Sequence, residues 1–448
     1  MDVTPTSSTD QTDLAALTNP NASPTLAPPV LTIDGDRLWS DLMELATIGA
    51  YDDEATDLIG VNRQSLTDED AAGRRLVIRW MEEAGLIVTV DPMGSIFGRR
   101  AGLRDDLAPV MAGSHIDTVG TAGAFDGCLG VLAGIEAVRT LNDRGITTER
   151  PLVVAAFTEE EGVRFGTDML GSAVAAGRIS LEDAHALTDA DGLTFGEELE
   201  RIGFAGDAPV LLDPPHAYVE CHIEQGPVLL REDVALGVVT GVQAISWQRV
   251  ALHGRAAHAG TTPTELRADA GLAAAQIIVH VRAMVDSGRY GRLRGTVGHI
   301  AASPGLPSVV PDRAEITVDL RNPEDHHLEA AERDLAAFLD TLADTQPGLR
   351  VETQRMARTR PVPFDEGIQD TIEKSAADLG HPVRRLMSGA GHDAQEIAAI
   401  APTAMVFVRG QHDGISHNSR EYSTPEDCAA GASALANTIV RLAQEETR

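Results

Sequence analysis

Three consecutive glutamates, Glu159, Glu160 and Glu161, close the apolar run "PLVVAAF" and open the segment "TEEEGVRFG". The run has the composition of a buried strand. Like charges at its mouth repel one another, and burying them unpaired is expensive. Two readings compete: a solvated surface loop, the usual fate of a charge run, or a site where a bound cation makes the carboxylates tolerable. The second needs ligands from elsewhere in the chain. "GSHIDTVGTAGAFDG" offers His115 and Asp117 directly after another apolar stretch, with Asp126 in a glycine-flanked turn. "YVECHIEQGP" places His222 at the end of a further strand, and "GISHNSREYS" places His417 in a loop. Imidazole nitrogens combined with Asp and Glu oxygens are donors that borderline divalent ions accept. Each residue alone also has a plain reading, as a polar strand-end His, a turn Asp or a helix-start Glu. Their shared position at strand exits is what those readings leave to chance.

The elements that must position these residues alternate. "DRLWSDLMELATIGA" and "DEDAAGRRLVIRWMEEAG" carry helical spacing, "LIVTVDPMGSIFGRRAG" reads as a hairpin, and "APVMAGSHIDTV" as a strand running into a polar loop. "GCLGVLAGIEAVRTLNDRG" is a helix that begins in small residues, followed by the "PLVVAAF" strand. This alternation implies an α/β domain with a mixed, mainly parallel sheet and helices on both faces, whose sites gather at the carboxyl ends of strands. From 238 to 358 the order changes to β-α-β-β-α-β, with "TELRADAGLAAAQIIVHVRAMV" as one long helix, the pattern of a ferredoxin-like α+β unit. Alternation then resumes to the closing helix "PEDCAAGASALANTIVRLAQ". The expected organisation is a disordered tail over 1–34, a first domain over 35–237 and 359–448, and an inserted domain over 238–358.

Charge and cysteines narrow the class. The 448-residue chain has a net charge of −32, which repels nucleic acid and anionic membrane surfaces alike. Lys374 is the only lysine. The cysteines Cys128, Cys221 and Cys428 are widely spaced and the N-terminal segment has no basic n-region, so reduced thiols and a cytoplasmic setting are expected.

Six stretches, "GSHIDTVGTAGAFDGCLGVLAG", "FTEEEGVRFG", "HIEQGP", "HAGTTP", "SGAGHDAQ" and "GISHN", together resemble the M20-type metallohydrolases, from about residue 40 to the C-terminus. Within them they are most similar to the carbamoylase branch: N-carbamoyl-L-amino-acid hydrolase, β-ureidopropionase and allantoate amidohydrolase. The resemblance implies two divalent ions per subunit. Asp126 would bridge them, His115 and His222 would complete one site, and Glu161 and His417 the other. Zn²⁺ suits this set, and Mn²⁺, Co²⁺ or Ni²⁺ fit it too. Asp117 would accept the other N–H of the His115 ring, Glu160 would be the general base, and Glu159 would be solvated. Paired ions supply a water-derived nucleophile at neutral pH and polarise the carbonyl.

The resemblance also implies substrate contacts. His258 would stabilise the oxyanion, Arg321 would clamp a substrate carboxylate bidentately, and Gln225, Gly391 and His392 would line the pocket. Ser308 stands where the family commonly has Asn, a shorter group with a different donor pattern. The implied reaction is hydrolysis of an N-carbamoyl-L-amino acid to the amino acid, CO₂ and ammonia. Allantoate amidohydrolase, β-ureidopropionase and aminoacylase or peptidase activities are the alternatives on this scaffold, and a catalytically silent binding scaffold is the alternative outside it. The inserted domain would serve as lid and dimerisation surface, making a homodimer that takes a small carboxylate-bearing ureido or amide substrate.

Overall fold

The computed structural model describes residues 30–210 and 212–445. Most of the expected tail lies outside the described residues, but 30–34 is not tail. Leu31 and Ile33 are buried in the main core. The Leu31 N–H donates to Asn437 Oδ1 at 2.9 Å, and its carbonyl accepts from Asn437 Nδ2 at 2.7 Å. Two apolar residues in a Pro- and Thr-rich stretch are thus enough to dock it on the helix Pro425–Ala443.

A nine-stranded mixed sheet forms the larger body. Its middle is four parallel strands side by side, Thr403–Val408, Ala217–Ile223, Val110–His115 and Leu152–Phe157. Every residue in them is buried, which is why they read as unbroken apolar runs rather than alternating ones. Antiparallel strands flank this middle: Ile96–Arg100 and Ile87–Val90 on one side, Leu236–Val242 on the other. The helices Cys128–Asp143 and Pro425–Ala443 pack against one another and against the central strands. Parallel strands point their carboxyl ends the same way, so the loops after these four strands converge on one edge.

A second sheet is antiparallel, in the order Arg294–Ser303, Arg313–Asn322, Ala244–His253, Arg350–Thr359. The helices Ala270–Asp286 and Asp325–Thr345 cover it around a separate core that includes Val250, Ile316 and Leu335. Its first strand starts at Ala244, not at 238, because Leu236–Val242 pairs into the large sheet; its last runs to Thr359. The long helix expected from Thr264 is broken. A single 3₁₀ turn at Thr264–Leu266 ends in extended backbone at Arg267, and the helix restarts at Ala270 under the cap of Asp269, whose side chain accepts the Leu272 N–H. Among the described residues no helix is long and apolar enough to cross a membrane. All three cysteines are free and buried.

Candidate metal centre

Each of the four central strands delivers one piece of the site. His115 is the last residue of its strand, and His222 lies one residue from the end of the adjacent one. Glu160 and Glu161 follow Leu152–Phe157, and His417 lies in the loop after Thr403–Val408. Asp126 sits just before the helix Cys128–Asp143. Gly127 between them has φ +64°, and a Cβ there would lie 2.4 Å from the His115 ring, so only glycine lets this loop close over the imidazole. Glu159, Gln225 and His417 also adopt positive φ, at 59°, 52° and 56°. Left-handed backbone at non-glycine residues costs about 1–3 kcal/mol each and tends to gather at functional sites.

Two donor groups form around one shared carboxylate. His115, Asp126 and His222 make the first; Asp126, Glu161 and His417 make the second. Asp126 Oδ1 is 3.1 Å from His222 Nε2 and 3.7 Å from His115 Nε2, while Oδ2 is 3.6 Å from His417 Nε2. His417 Nε2 is 3.2 Å from Glu161 Oε2. The rings are aimed by backbone: His115 Nδ1 is 3.0 Å from the Asp117 carbonyl and His222 Nδ1 is 2.9 Å from the Ile223 carbonyl. A carbonyl only accepts, so each Nδ1 carries a proton and each Nε2 is the nitrogen turned to the centre, free to coordinate once it is deprotonated. His115 Nε2 and Glu161 Oε1 are buried without any hydrogen-bond partner. Buried polar atoms are rarely left so. Two divalent ions fit this set, because their coordination is what these orphaned donors lack.

The charges agree with the geometry. Burial opposes ionisation of Asp126, but His222, His115 and His417 outweigh it and hold the carboxyl below its usual range. In turn, against the effect of burial, Asp126 raises His222 to about 9, and the hydrogen bond to Glu161 raises His417 to about 9. Burial, then Glu161 and Asp393, push Glu160 well above the ordinary carboxylate range. With protein charges alone the cluster carries protons that a divalent ion would displace.

Several expected roles change. Glu159 is buried, not solvated: its left-handed backbone turns the carboxyl inward to accept the Phe165 N–H at 3.0 Å. The acceptor closest to His115 Nδ1 is the Asp117 carbonyl rather than its carboxylate, which lies 3.7 Å away and faces the Glu160 and Glu161 N–H groups at 3.4 and 3.3 Å. Gln225 does line the cavity, yet its Nε2 donates to Asp126 Oδ2 at 2.7 Å. Arg321 reaches the cavity from the second sheet with its fork already engaged. Nε and Nη2 hold Asp319, and Nη1 donates to the Gly389 carbonyl at 2.9 Å.

The cavity has a volume of about 220 Å³, and Glu160, Glu161, His222, Arg321, Gly391 and His392 are among its walls. Glu160 Oε2 stands 3.4 Å from His115 Nε2 yet belongs to neither donor group. His258 and Ser308 are not brought there. Both are exposed, His258 on a two-stranded ribbon and Ser308 just before its second strand, where the Ala259 N–H donates to the Ser308 carbonyl at 2.9 Å. His258 Nδ1 accepts the Gly260 and Thr261 N–H groups, leaving Nε2 as the donor.

One contributor escaped the sequence reading. Glu421 Oε1 accepts the Phe125 and Asp126 N–H groups at 2.9 and 3.0 Å, and Oε2 lies 2.8 Å from Ser416 Oγ. Ser416 Oγ also donates to Asp126 Oδ2 at 2.6 Å. Glu421 thus ties the Asp126 loop to the His417 loop. Its position four residues beyond His417, in an otherwise polar loop, was the available signal.

The family description "Peptidase family M20/M25/M40" matches residues 111–441. The chain is 43% identical over 412 residues to an N-carbamoyl-L-amino-acid amidohydrolase of Rhizobium meliloti, covering 92% of this chain and 97% of that protein. It is 41% identical to an N-carbamoyl-L-amino acid amidohydrolase of Geobacillus stearothermophilus, covering 92% of this chain and 100% of that one. A crystal structure of an amidase of the hydantoinase/carbamoylase family from Burkholderia multivorans superposes with a TM-score of 0.85 at 44% identity, over 94% of this chain and 100% of that one. With this match and the donor set at its strand ends, the chain belongs to peptidase family M20/M25/M40, in its branch of carbamoylase-type amidohydrolases.

Proposed function

We propose that the protein, holding two divalent ions, hydrolyses the carbamoyl C–N bond of an N-carbamoyl-L-amino acid. One water is consumed, and the amino acid, CO₂ and ammonia are released. The observation that carries this reading is the position of Glu160, a carboxylate in the cavity, 3.4 Å from His115 of the first donor group and part of neither group. His115, His222 and the shared Asp126 would hold one ion, and Glu161, His417 and Asp126 the other. When bound, such ions supply a nucleophile from water at neutral pH and polarise the carbonyl. Glu160 takes the proton from that water and returns it to the leaving nitrogen. Its high proton affinity is set by burial and by neighbouring carboxylates, and bound ions would lower it toward a range where it can exchange a proton.

Arg321 serves the substrate carboxylate with what is left of its guanidinium. Asp319 and Gly389 engage three of the five N–H groups, so two remain. His258, on the ribbon with its Nε2–H free to donate, and Ser308, just before the ribbon's second strand, lie outside the cavity. They act when the smaller domain closes or when a second subunit brings them in. A homodimer through that domain is supported by its free edge strand Arg294–Ser303, where Ile300 is 59% exposed. Leu272 and Val279, two turns apart on the neighbouring helix, are exposed beside it at 49% and 68%. Unpaired edges with apolar side chains invite pairing. Light scattering should find twice the 47.4 kDa chain mass.

The test of the reaction is ammonia release from N-carbamoyl-L-amino acids, β-ureidopropionate and allantoate after loading with each metal. Turnover of the first class ahead of the other two is the expected result. Turnover of none of them, by a protein that has bound metal, would remove the proposal.

A further inference from the structure

Gln225, Ala390 and His417 line the metal cavity and also a second groove of about 430 Å³. Four arginines stand in that groove's walls: Arg292, Arg294, Arg384 and Arg385. Two are matched by acids. Arg384 pairs with Glu232 at 3.0 Å, and Arg385 with Asp370 and Glu373 at 2.5 and 2.6 Å. Arg292 and Arg294, just before and at the start of the edge strand, have no carboxylate within 4.0 Å among the described residues. The single acid lining the groove, Glu224, commits its oxygens to the Val228 and Leu229 N–H groups at 2.7 and 2.8 Å. In a chain of net charge −32, these two guanidinium groups, faced in the groove by Glu224 alone, whose charge Arg294 feels, make this concave surface far less acidic than the chain as a whole.

The groove's connection to the reacting end runs through Gly389. Its carbonyl accepts from Arg321 Nη1, and on its other side Arg294 Nη1 lies 3.2 Å from where a Cβ would stand. Glycine lets the Arg294 guanidinium lie against the backbone there. Arg321 and Arg294 therefore bracket one residue, the first facing the metal cavity and the second facing the groove. A molecule whose ureido group reaches the donor set and whose α-carboxylate meets Arg321 would lead a side chain past Gln225 and Ala390 toward Arg294. Planar guanidinium groups select carboxylates there over neutral amides.

On the reading of the reaction given above, we propose that this groove is a second anion subsite, and that the preferred substrates are N-carbamoyl-L-amino acids with acidic side chains. The direct test measures binding without turnover, by calorimetry on metal-loaded Glu160→Gln protein. N-carbamoyl-L-glutamate and its neutral isostere N-carbamoyl-L-glutamine are the probes. The glutamate derivative should bind about tenfold tighter or better at low salt, and the preference should shrink as salt is added. Adding Arg292→Gln and Arg294→Gln together should bring the two ligands within about twofold, whereas Arg294→Lys should keep part of the preference. Both arginines are exposed in the single chain, and because Arg294 opens the edge strand offered for the dimer, light scattering checks that the variants keep the parent's assembly and circular dichroism that they fold. Equal binding of the two probes to the parent protein, or a preference untouched by the double substitution, would overturn the proposal. Ammonia release by the metal-loaded wild type from either probe separates the two claims. Silence on both probes at saturating concentration removes the reaction, while the binding comparison still decides the groove.

Discussion

His115 and His258 are both histidines at the ends of strands, and they have different fates. His115 ends a central parallel strand, is 1% exposed, and has its ring fixed by a backbone carbonyl, a glycine lid and a neighbouring carboxylate. His258 ends a two-residue strand of a ribbon, is exposed, and is held only by two N–H groups of its own loop. The difference is one of support. Four parallel strands fix where their loops start, so the donors they carry are placed before any ligand arrives. The ribbon fixes only a tautomer; on the function proposed above, domain movement or a partner would have to supply position. On that same function, the larger body would hold the ions and the smaller one would bring contacts to them.

Substitutions that separate holding from delivering test this contrast. The largest effect belongs to Glu160→Gln, which should lower kcat by roughly 10²–10⁴-fold while metal content stays that of the wild type. Equal metal loss in this variant would make Glu160 a ligand and dissolve the distinction from Glu161. Next is His258→Ala, expected to lower kcat about 10²-fold with metal content and melting temperature unchanged. A drop in bound metal would mean that the two regions are not separate. Glu421→Ala should do the reverse, weakening metal affinity by about 10–100-fold, as measured by chelator competition. Glu421→Gln, which keeps an acceptor for the Phe125 and Asp126 N–H groups, should lose much less. The smallest expected change is that of Arg321→Lys, a rise in KM of about tenfold with little change in kcat, since a point charge replaces a planar fork. A fall in kcat alone would place Arg321 in the chemistry instead.

How much of this was legible in the sequence follows the same division. The donors stood out because a fully buried strand must be apolar throughout, so His115 at the end of "VMAGSH" and the glutamates after "LVVAAF" interrupt a strong pattern. The β-α-β-β-α-β order was legible for a related reason, since its helices and strands have different periods. What remained hidden depended on backbone conformation or on partners distant in the chain. The inward turn of Glu159 follows from a positive φ that no residue type announces. Arg321 is committed to Asp319, two residues earlier on the same strand face, a pairing that the motif reading passed over in favour of a ligand. Leu31 docks through Asn437, 406 residues away, and composition alone marked it as tail. Resemblance named the roles of His258 and Ser308, but not their distance from the cavity.

The central claim is that five side chains share a pair of divalent ions through Asp126. Elemental analysis of purified protein after metal loading and removal of free ions tests it most directly, with Asp126→Ala measured alongside. Two ions per chain in the wild type and in Glu160→Gln, and almost none in Asp126→Ala, is the predicted result. A folded wild type that retains no ions, or an Asp126→Ala variant that still holds two, would contradict it.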